Sequence, residues 1–328
     1  MDIIFVRHKL HALIVINLIA ENIISKHFIF VRCHWKDINE DSEKNDFFYK
    51  MLEEKAFYTT HLVEKNGLIR CYLQVYLLSI LAFISCGKFY LAGITFYAYA
   101  IVAKLNPLLK IITFDDGMAN ILKVSGNLFF SNKKLDDNSS VRRKLLNFVF
   151  PDGPSLFISK KTILHYTMYK HFENIVPREK LKYVKIDWES YLSDEDVLFL
   201  NRFIKSEVSL LIGTVFQEPE ASRLRDERKR NFVKDIQKEF LPKLDLIISH
   251  PRDSSNISQL KITRFFHGTA ESIVKFLQNQ SMVNKINIIH LGTSSAPIIK
   301  TFSKVKIYDI FAGAYDKTEN NLVHLENL

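Results

Sequence analysis

Residues 89–117 read FYLAGITFYAYAIVAKLNPLLKIITFDDG, and this stretch decides the fold class. Two short apolar runs rich in β-branched and aromatic residues, Phe89–Ile94 and Ile111–Phe114, flank a segment of helix length. Their hydrophobicity is continuous rather than alternating, which is typical of strands covered on both faces, as in a parallel sheet wrapped by helices. The stretch therefore predicts a strand–helix–strand unit of an α/β protein.

The same pattern recurs on both sides of this unit. Further strands are predicted at Ile3–Val6, Phe28–Arg32, Ser155–Ser159, Ser209–Val215, Leu244–Ser249, Ile286–Leu291 and Val305–Asp309. Because the alternation of strands and helices occurs twice over, the sequence favours two α/β units. A polar segment at residues 131–143, followed by Pro151-Asp152-Gly153-Pro154, is typical of a loop and a turn. We therefore predict domains at 1–152 and 153–328.

Composition agrees with two globular domains and an anionic partner. The 328 residues suffice for two domains of ordinary size, and 47% of them are apolar. Lys and Arg number 45 against 36 Asp and Glu, a net charge of +9. This excess suits a nucleotide, a phosphate-rich glycolipid, an acidic membrane surface or nucleic acid. The cysteines Cys33, Cys71 and Cys86 form no zinc-binding pattern, and reduced thiols are expected.

Two apolar segments bear on localisation. The N-terminal sequence MDIIFVRHKLHALIVINLIAE lacks the basic lead and the cleavage site of a signal peptide, and it predicts a strand that runs into a helix. Residues 72–105 are strongly apolar, but their first run of about 15 residues is shorter than the roughly 20 needed to span a bilayer. Gly87-Lys88 then interrupts it. We expect a buried helix, a strand and a second helix rather than a transmembrane hairpin.

Two adjacent carboxylates, Asp115 and Asp116, directly follow the predicted strand Ile111–Phe114. Gly117 ends the pair, and Asn120 comes a turn later. Side chains at consecutive positions diverge, so we expect one carboxylate to accept a proton from an incoming hydroxyl and the other to cap the next helix. The alternative is that both form a turn, since Asp-Gly is a common turn pair.

A second predicted strand ends in His250, Pro251 and Arg252. Proline holds the preceding residue extended and thereby fixes the direction of the imidazole. A protonated histidine in a fixed position can donate a hydrogen bond or a proton to a phosphate leaving group. A strand-end histidine in a simple turn is the alternative interpretation.

Gly292, Thr293, Ser294 and Ser295 lie between a predicted strand and a predicted helix. Free backbone N–H groups, the helix dipole and the hydroxyls together form a phosphate cradle. Ser295 could instead cap the helix, with Pro297 in its first turn, and would then need no ligand. Neither a GKS/GKT nor a GxGxxG sequence occurs, so this segment is neither a Walker loop nor a dinucleotide fingerprint.

Weaker signals complete the set of candidates. One group of residues lies at the start of a predicted helix that Thr269 could cap. The other lies at the end of the predicted strand Ser209–Val215. These candidates are His267, Gly268 and Glu271 in the first group and Thr214, Gln217 and Glu218 in the second. Either group could bind a base, a ribose or a sugar, and helix caps or loop residues are the alternative.

Taken in order, these motifs resemble the bacterial sialyltransferases of glycosyltransferase family 52, the lipooligosaccharide sialyltransferase family. The resemblance lies in Phe114-Asp115-Asp116-Gly117, in His250-Pro251, in Ser294-Ser295 and in the opening from Ile3 to Ile14. It extends over nearly the whole chain, although no one motif is specific by itself. The chain departs from the family at Arg7-His8-Lys9-Leu10, where members often carry Cys or Thr followed by Pro-Leu. This departure bears on the choice of acceptor.

The resemblance implies a GT-B fold, two Rossmann-like parallel-sheet domains that face a central cleft. Residues 1–152 would bind the acceptor, and 153–328 would bind CMP-sialic acid, the donor. The implied reaction is an inverting transfer of sialic acid to a galactose-type hydroxyl of a lipooligosaccharide or capsular glycan, without a metal or another cofactor. The resemblance also implies a cytoplasmic protein that is peripheral on the inner face of the bacterial inner membrane, and it leaves a homodimer open.

The resemblance also assigns roles within the site. One member of the Asp115/Asp116 pair would act as base on the acceptor hydroxyl, with a preference for Asp115. His250 would protonate or stabilise the departing phosphate, which Ser294 and Ser295 would hold. Asp226, ahead of His250, is the alternative base.

Two rival functions fit parts of the sequence. A hexosyltransferase of the same fold would use a UDP-sugar, but a pyrophosphate site needs more basic groups than the His-Pro and Ser-Ser motifs provide. A non-enzymatic protein could use its positive charge to bind a membrane surface or nucleic acid. The basic residues are dispersed among acidic ones, however, and the aromatic residues sit inside apolar runs rather than as stacking platforms. We therefore expect no nucleic-acid partner.

Overall fold

A computed structural model describes residues 1–34, 47–63, 68–92, 97–116, 148–170, 172–213, 243–249, 263–264, 266–290 and 295–309. The chain divides into two compact units, Met1–Ile186 and Asp187–Leu328. Each unit contains one sheet in which every pairing is parallel. The predicted α/β class with two parallel sheets is thereby confirmed.

The first unit is built on a seven-stranded sheet in the order β3-β2-β1-β4-β5-β6-β7. Its strands are β1 (Asp2–Val6), β2 (Phe28–His34), β3 (Tyr58–Val63), β4 (Phe89–Ala92), β5 (Ile111–Phe114), β6 (Leu164–Thr167) and β7 (Leu181–Tyr183). Its helices are α1 (Lys9–Ala20), α2 (Phe47–Lys55), α3 (Leu68–Ile84), α4 (Tyr97–Leu105) and α5 (Pro154–Lys161), and a 3-10 turn spans Arg178–Lys180. The strand order reverses between β1 and β4, the kind of position at which α/β sheets bind ligands.

Both faces of this sheet are covered, as the continuous apolar runs predict. Ile3 and Phe5 of β1 belong to the core cluster that also contains buried residues of α3, α4 and α5. Ile4 and Val6, which point to the opposite face, are also fully buried. Burial on both faces explains why the strands of this unit lack alternation.

The second unit is built on a five-stranded sheet in the order β10-β9-β8-β11-β12. Its strands are β8 (Glu207–Ile212), β9 (Leu246–Ile248), β10 (Thr263–Arg264), β11 (Lys285–His290) and β12 (Val305–Asp309). Its helices are α6 (Asp194–Leu200), α7 (Ala270–Asn279) and α8 (Ala296–Ile299), with 3-10 turns at Trp188–Tyr191 and Asn201–Phe203. Ile273, Val274 and Leu277 of α7 pack with Leu210 and Ile288 of the sheet in its core.

One predicted strand is wrong: Ser155–Ser159 lies within the helix α5. Gly153 adopts φ +82°, and Pro154 occupies the first turn, a position where its fixed φ favours a helix. An apolar run this short has no period that separates a strand from a helix, so the local signals at its start decide the structure. The other predicted strands are present, with ends shifted by a few residues.

Four strands were not predicted: β3, β6, β7 and β10. The strand β3 lies at an edge of its sheet, where Tyr58 and His61 are exposed and the sequence carries few apolar residues. Such a strand gives a weak apolar signal because one side of it faces solvent.

The boundary between the units lies later in the chain than the predicted position near residue 152. The strands β6 and β7 pair with β5 and with each other, so residues 153–186 belong to the first unit. The polar segment 131–143 lies outside the described residues. The assignment of one half to the acceptor and the other to the donor stays a prediction.

The apolar stretch 72–105 forms α3, β4 and α4 in the predicted order of helix, strand and helix, but α3 is not the buried helix expected, since Leu73, Leu77 and Ile84 are exposed. Across the described residues, no helix is long and apolar enough to cross a membrane.

Gly87, between α3 and β4, offers a test of this packing. A Cβ atom at this position would lie 1.9 Å from the Met1 carbonyl oxygen, which is backbone and cannot rotate away. We expect Gly87→Ala to lower the free energy of unfolding by about 2 kcal/mol, the cost of overpacking a tight site. Urea unfolding of the purified protein measures the change.

The matched control for this test is Lys88→Ala. Its backbone N–H donates to Asp2 and survives the substitution, so we expect a change within about 0.5 kcal/mol. Equal stabilities of the two variants would contradict the close approach of Met1.

Candidate active site

The carboxyl ends of β1 and β5 bring together the polar side chains of the first unit's candidate site. Arg7 and His8 follow β1, His11 lies in the first turn of α1, and Asp115 and Asp116 follow β5. In the sheet, β1 and β5 lie on either side of β4, next to the reversal of strand order. Both carboxylates are described, and their side chains diverge as the sequence predicts.

Asp115 is fully buried and both of its carboxylate oxygens are occupied. His165 of β6 lies with Nε2 3.0 Å from Oδ1, and the backbone N–H of Met168 donates to Oδ2 at 2.7 Å. The backbone N–H of Asp115 donates to the Tyr166 carbonyl at 3.2 Å. These contacts tie the end of β5 to the end of β6.

His165 is itself held on its other side. Its Nδ1 lies 2.8 Å from the Thr113 hydroxyl oxygen, and both side chains are buried. The Thr113 hydroxyl also donates to Thr162 at 3.4 Å, and the Asn174 amide nitrogen lies 3.2 Å from His165 Nε2. The chain Thr113–His165–Asp115 is thus a continuous buried polar network.

Asp116 makes a different contact, with His11. Nε2 of His11 lies 2.7 Å from Oδ1 of Asp116. The backbone N–H of Arg7 donates to His11 Nδ1 at 3.2 Å, so this nitrogen is an acceptor and the proton lies on Nε2, directed at the carboxylate. The imidazole is buried and packs edge-on against the Phe114 ring, whereas the Asp116 side chain is 20% exposed.

The surroundings keep Asp116 ionised. Burial alone would raise the pKa of Asp116, but the electrostatic attraction to His11 and the hydrogen bond from its Nε2–H, with smaller contributions from His8 and Arg7, outweigh burial and lower the pKa to about 2. Among the described residues, no group donates a hydrogen bond to its second oxygen, Oδ2. At neutral pH this oxygen is therefore an anionic acceptor at the carboxyl edge of the sheet.

This geometry does not support the preference for Asp115 as the base. A catalytic base must reach the proton that it removes, and Asp115 has neither exposed surface nor an oxygen without a partner. Asp116 meets both conditions. Asp115 instead anchors the strand ends that position Asp116.

Sequence reasoning missed the histidines that flank the two carboxylates. His11 is the one ionisable side chain in the α1 segment HALIVINLIA, directly after a strand, and this contrast is a usable signal. His165 lies in a strand that was not predicted at all. Its pairing with Asp115 joins residues 50 positions apart, which no local pattern reveals.

In the second unit the structure brings Glu271 and Ser295 together. Thr269 caps α7 by accepting from the Ser272 N–H, as predicted, and Glu271 lies in the first turn. Burial raises the pKa of Glu271, and its hydrogen bonds with Ser295 and Thr269 oppose that rise. Ser295 is the N-cap residue of α8, as the alternative interpretation has it, but its side chain makes no capping hydrogen bond there and instead bonds Glu271.

Gly268 and His267 differ sharply in their surroundings. A Cβ atom on Gly268 would lie 2.6 Å from Cδ2 of Leu192, and the Gly268 N–H donates to the buried Asp196 carboxylate at 3.0 Å. Gly268 thus packs α7 against the Trp188–Tyr191 turn and α6. His267, next to it, is exposed.

The remaining candidates stay predictions. Those outside the described residues are Asp226, His250, Gly117, Asn120, Thr214, Gln217, Glu218, Pro251, Arg252, Gly292, Thr293 and Ser294. Within the described ranges, no group of three or more His, Cys, Asp or Glu side chains could hold a metal ion.

The proteins that this chain resembles include a curated relative and a solved structure. A CMP-N-acetylneuraminate:beta-galactoside alpha-2,3-sialyltransferase of Pasteurella multocida (strain Pm70) is 30% identical over 151 residues, which cover 45% of this chain and 41% of that protein. The matched region thus spans less than half of the relative's length.

The crystal structure of Methanocaldococcus jannaschii UDP-GlcNAc 2-epimerase in complex with UDP-GlcNAc and UDP aligns with a TM-score of 0.55 at 11% identity. The alignment covers 100% of this chain and 92% of that one. At this identity the likeness shows the fold alone, and it agrees with the expected GT-B class.

The sequence match to glycosyltransferase family 52 runs from residue 16 to residue 311 and so includes both units. It takes in the acidic pair, the His-Pro and Ser-Ser motifs and the C-terminal end of α1 from Ile16 onward. The chain therefore belongs to glycosyltransferase family 52.

Proposed function

We propose that the protein is a sialyltransferase that moves sialic acid from CMP-sialic acid to a galactose-type hydroxyl of a lipooligosaccharide or capsular glycan. Family membership and the name of the Pasteurella relative support the donor and the acceptor class. The structural observation that carries the proposal is the ionised, partly exposed Asp116 at the carboxyl edge of the sheet.

The proposed reaction is a single inverting displacement. The acceptor oxygen forms a bond to the anomeric carbon of sialic acid while the bond from that carbon to the CMP phosphate breaks. The acceptor proton passes to Oδ2 of Asp116. A carboxylate with a pKa of about 2 is a weak base for a neutral alcohol, but the attacking oxygen becomes strongly acidic as its new bond forms. Proton transfer is then favourable late in the step.

His11 acts here as a positioning residue. Its Nε2–H holds Oδ1 of Asp116, which leaves Oδ2 to receive the proton. It also keeps the carboxylate anionic against the effect of burial. The Arg7 backbone N–H fixes the tautomer on which both effects depend.

On the donor side we propose that His250 protonates or stabilises the departing phosphate, held by Ser294 and Ser295. Glu271 has a raised pKa because it is buried, and a carboxyl group that resists ionisation repels a nearby phosphate less. Through its hydrogen bond it orients the Ser295 side chain. CMP is a good leaving group, so we propose no metal or other cofactor. Asp226 is the alternative base if Asp116 is dispensable.

We further propose that the protein works at the cytoplasmic face of the inner membrane, where a glycolipid acceptor is accessible. The homodimer stays a prediction.

The first prediction concerns CMP release from CMP-sialic acid with a galactose-terminated acceptor in the presence of EDTA. We expect wild-type turnover to survive EDTA, and Asp116→Ala and His250→Ala each to lower kcat by about 10²–10⁴-fold. His27→Ala, an exposed histidine before β2, is the control and should retain activity. Absence of CMP release, with turnover of a UDP-sugar instead, would replace the proposal with the hexosyltransferase alternative.

The second prediction separates the two adjacent carboxylates by stability. Asp115→Ala leaves His165 and the Met168 N–H without their buried acceptor, and we expect a loss of about 2–4 kcal/mol in the free energy of unfolding. Asp116→Ala leaves one buried donor, the Nε2–H of His11, without its acceptor rather than two, so it should cost less, about 1–2.5 kcal/mol. Urea unfolding of both variants measures this, and the reverse order of stabilities would refute the assignment of roles.

The third prediction concerns pH. Without the imidazole, burial dominates at Asp116 and its pKa rises from about 2. In His11→Ala the acid limb of the kcat/KM profile should therefore move to higher pH, because the base becomes protonated earlier as pH falls. Profiles between about pH 4 and pH 8 test this, with His27→Ala as the control. An unmoved limb would mean that Asp116 is not the base or that His11 does not set its charge.

A further inference from the structure

The helix α3 exposes an apolar stripe along its whole length. Its 17 residues, LIRCYLQVYLLSILAFI, contain Arg70 as the one charged side chain. Cys71, Val75 and Ala82 face the core of the first unit. The opposite side carries exposed residues at helical spacing. These are Ile69, Leu73, Leu77, Leu81 and Ile84, with exposed fractions from 38% at Leu81 to 84% at Ile69.

The stripe continues onto the neighbouring segments. Leu105 and Leu108, at the end of α4, are 64% and 69% exposed, and Asn106 between them donates to the Ser79 carbonyl of α3 at 3.4 Å. Phe148 is 85% exposed, and its neighbour Val149 accepts a hydrogen bond from Lys104 at 2.9 Å. We call this set the apolar patch: Ile69, Leu73, Leu77, Leu81, Ile84, Leu105, Leu108 and Phe148.

The charged side chains of the segments that carry the apolar patch are mostly basic. In the described parts of residues 68–163 the basic side chains are Arg70, Lys88, Lys104, Lys110, Lys160 and Lys161. The acidic ones there are Asp115 and Asp116 of the candidate site, and Asp152, which is paired with Lys160 at 2.9 Å. Lys161 donates to the Pro107 carbonyl at 3.3 Å and thus lies beside Leu108.

We propose that the apolar patch and the basic residues around it form a docking surface for an anionic lipid bilayer. The exposed side of α3 would lie in the plane of the interface, with its leucines and isoleucines in the acyl boundary and the lysines at the headgroups. This inference names the surface that would hold the protein at the proposed membrane location, and it rests on that location. It does not depend on which sugar the site transfers.

Charge complementarity favours lipid over a second copy of the chain. A two-fold interface through the apolar patch would bring the same basic residues of both copies together. Anionic headgroups would instead neutralise them, at about 1 kcal/mol for each Lys or Arg near the surface. Exposed apolar surface of this kind is unusual on a monomeric protein and marks an interaction site.

The test is flotation of the full-length protein with vesicles that contain no glycolipid acceptor. We expect binding to vesicles of phosphatidylglycerol and phosphatidylcholine, weaker binding to phosphatidylcholine alone, and a loss of binding as salt rises from about 50 to 500 mM. The double variant Leu73→Glu/Leu77→Glu should bind at least tenfold more weakly. Leu198→Glu, an equally exposed leucine of the second unit, is the matched control.

Lys88→Ala/Lys110→Ala gives a second, milder variant. It keeps the apolar patch intact and should weaken binding to anionic vesicles by about fivefold for each lysine, which corresponds to about 1 kcal/mol each. Circular dichroism confirms that the variants fold. Turnover of a water-soluble acceptor should be unchanged in all of them, since no substituted residue belongs to the candidate site.

The outcomes separate this proposal from the proposed function. If the protein binds vesicles but transfers no sialic acid, the docking surface is supported and the proposed function is refuted. Equal binding by wild type and Leu73→Glu/Leu77→Glu would overturn the surface. So would a wild-type dimer that this variant dissociates without any vesicle binding, or the absence of vesicle binding by wild type, which would mean that another part of the chain covers the apolar patch.

Discussion

The buried hydrogen bonds of Asp115 hold the functional edge of the first unit together. A carboxylate without access to water needs partners, and Asp115 finds them in the His165 ring and in the backbone N–H of Met168. Both partners belong to β6 or follow it, so the bonds fix the end of β5 against the end of β6. Because adjacent side chains diverge, burying Asp115 directs Asp116 towards His11 and the open edge of the sheet. The buried Asp115 thus fixes the direction of the partly exposed Asp116 carboxylate.

The strands that sequence could predict are those buried on both faces, such as Ile111–Phe114, whose bounds are the same in the structure. Edge strand β3 was missed because its structure depends on its neighbour in the sheet rather than on a run of apolar residues. The segment Ser155–Ser159 was wrongly predicted as a strand because the Gly153-Pro154 start, not its apolar run, decides its structure. The site divides in the same way. Their position at the end of a strand indicates Asp115 and Asp116 as candidate site residues. The choice between them depends on His11 and His165, which only the fold brings near the two carboxylates.

The surroundings of two carboxyl groups, Glu271 and Asp116, shift their pKa values in opposite directions. Burial raises the pKa of Glu271, and within the described part of the chain no cation offsets it. Burial also acts on Asp116, yet His11, His8 and Arg7 reverse the outcome and lower its pKa. An anionic carboxylate suits the acceptance of a proton, and a carboxyl group that resists ionisation suits the vicinity of a phosphate. Environments that separate the pKa values of like groups are a mark of assigned acid–base roles.

The helix α3 is apolar both on the side that packs in the core and on the side that is exposed. A helix that is apolar on all sides belongs in a core or in a membrane, and the sequence LIRCYLQVYLLSILAFI satisfies that description with Arg70 as its one charge. Packing on the sheet uses only the side with Cys71, Val75 and Ala82. At 17 residues the helix is too short to cross a bilayer unaided. The membrane docking that we propose would account for the apolar side chains on its other side.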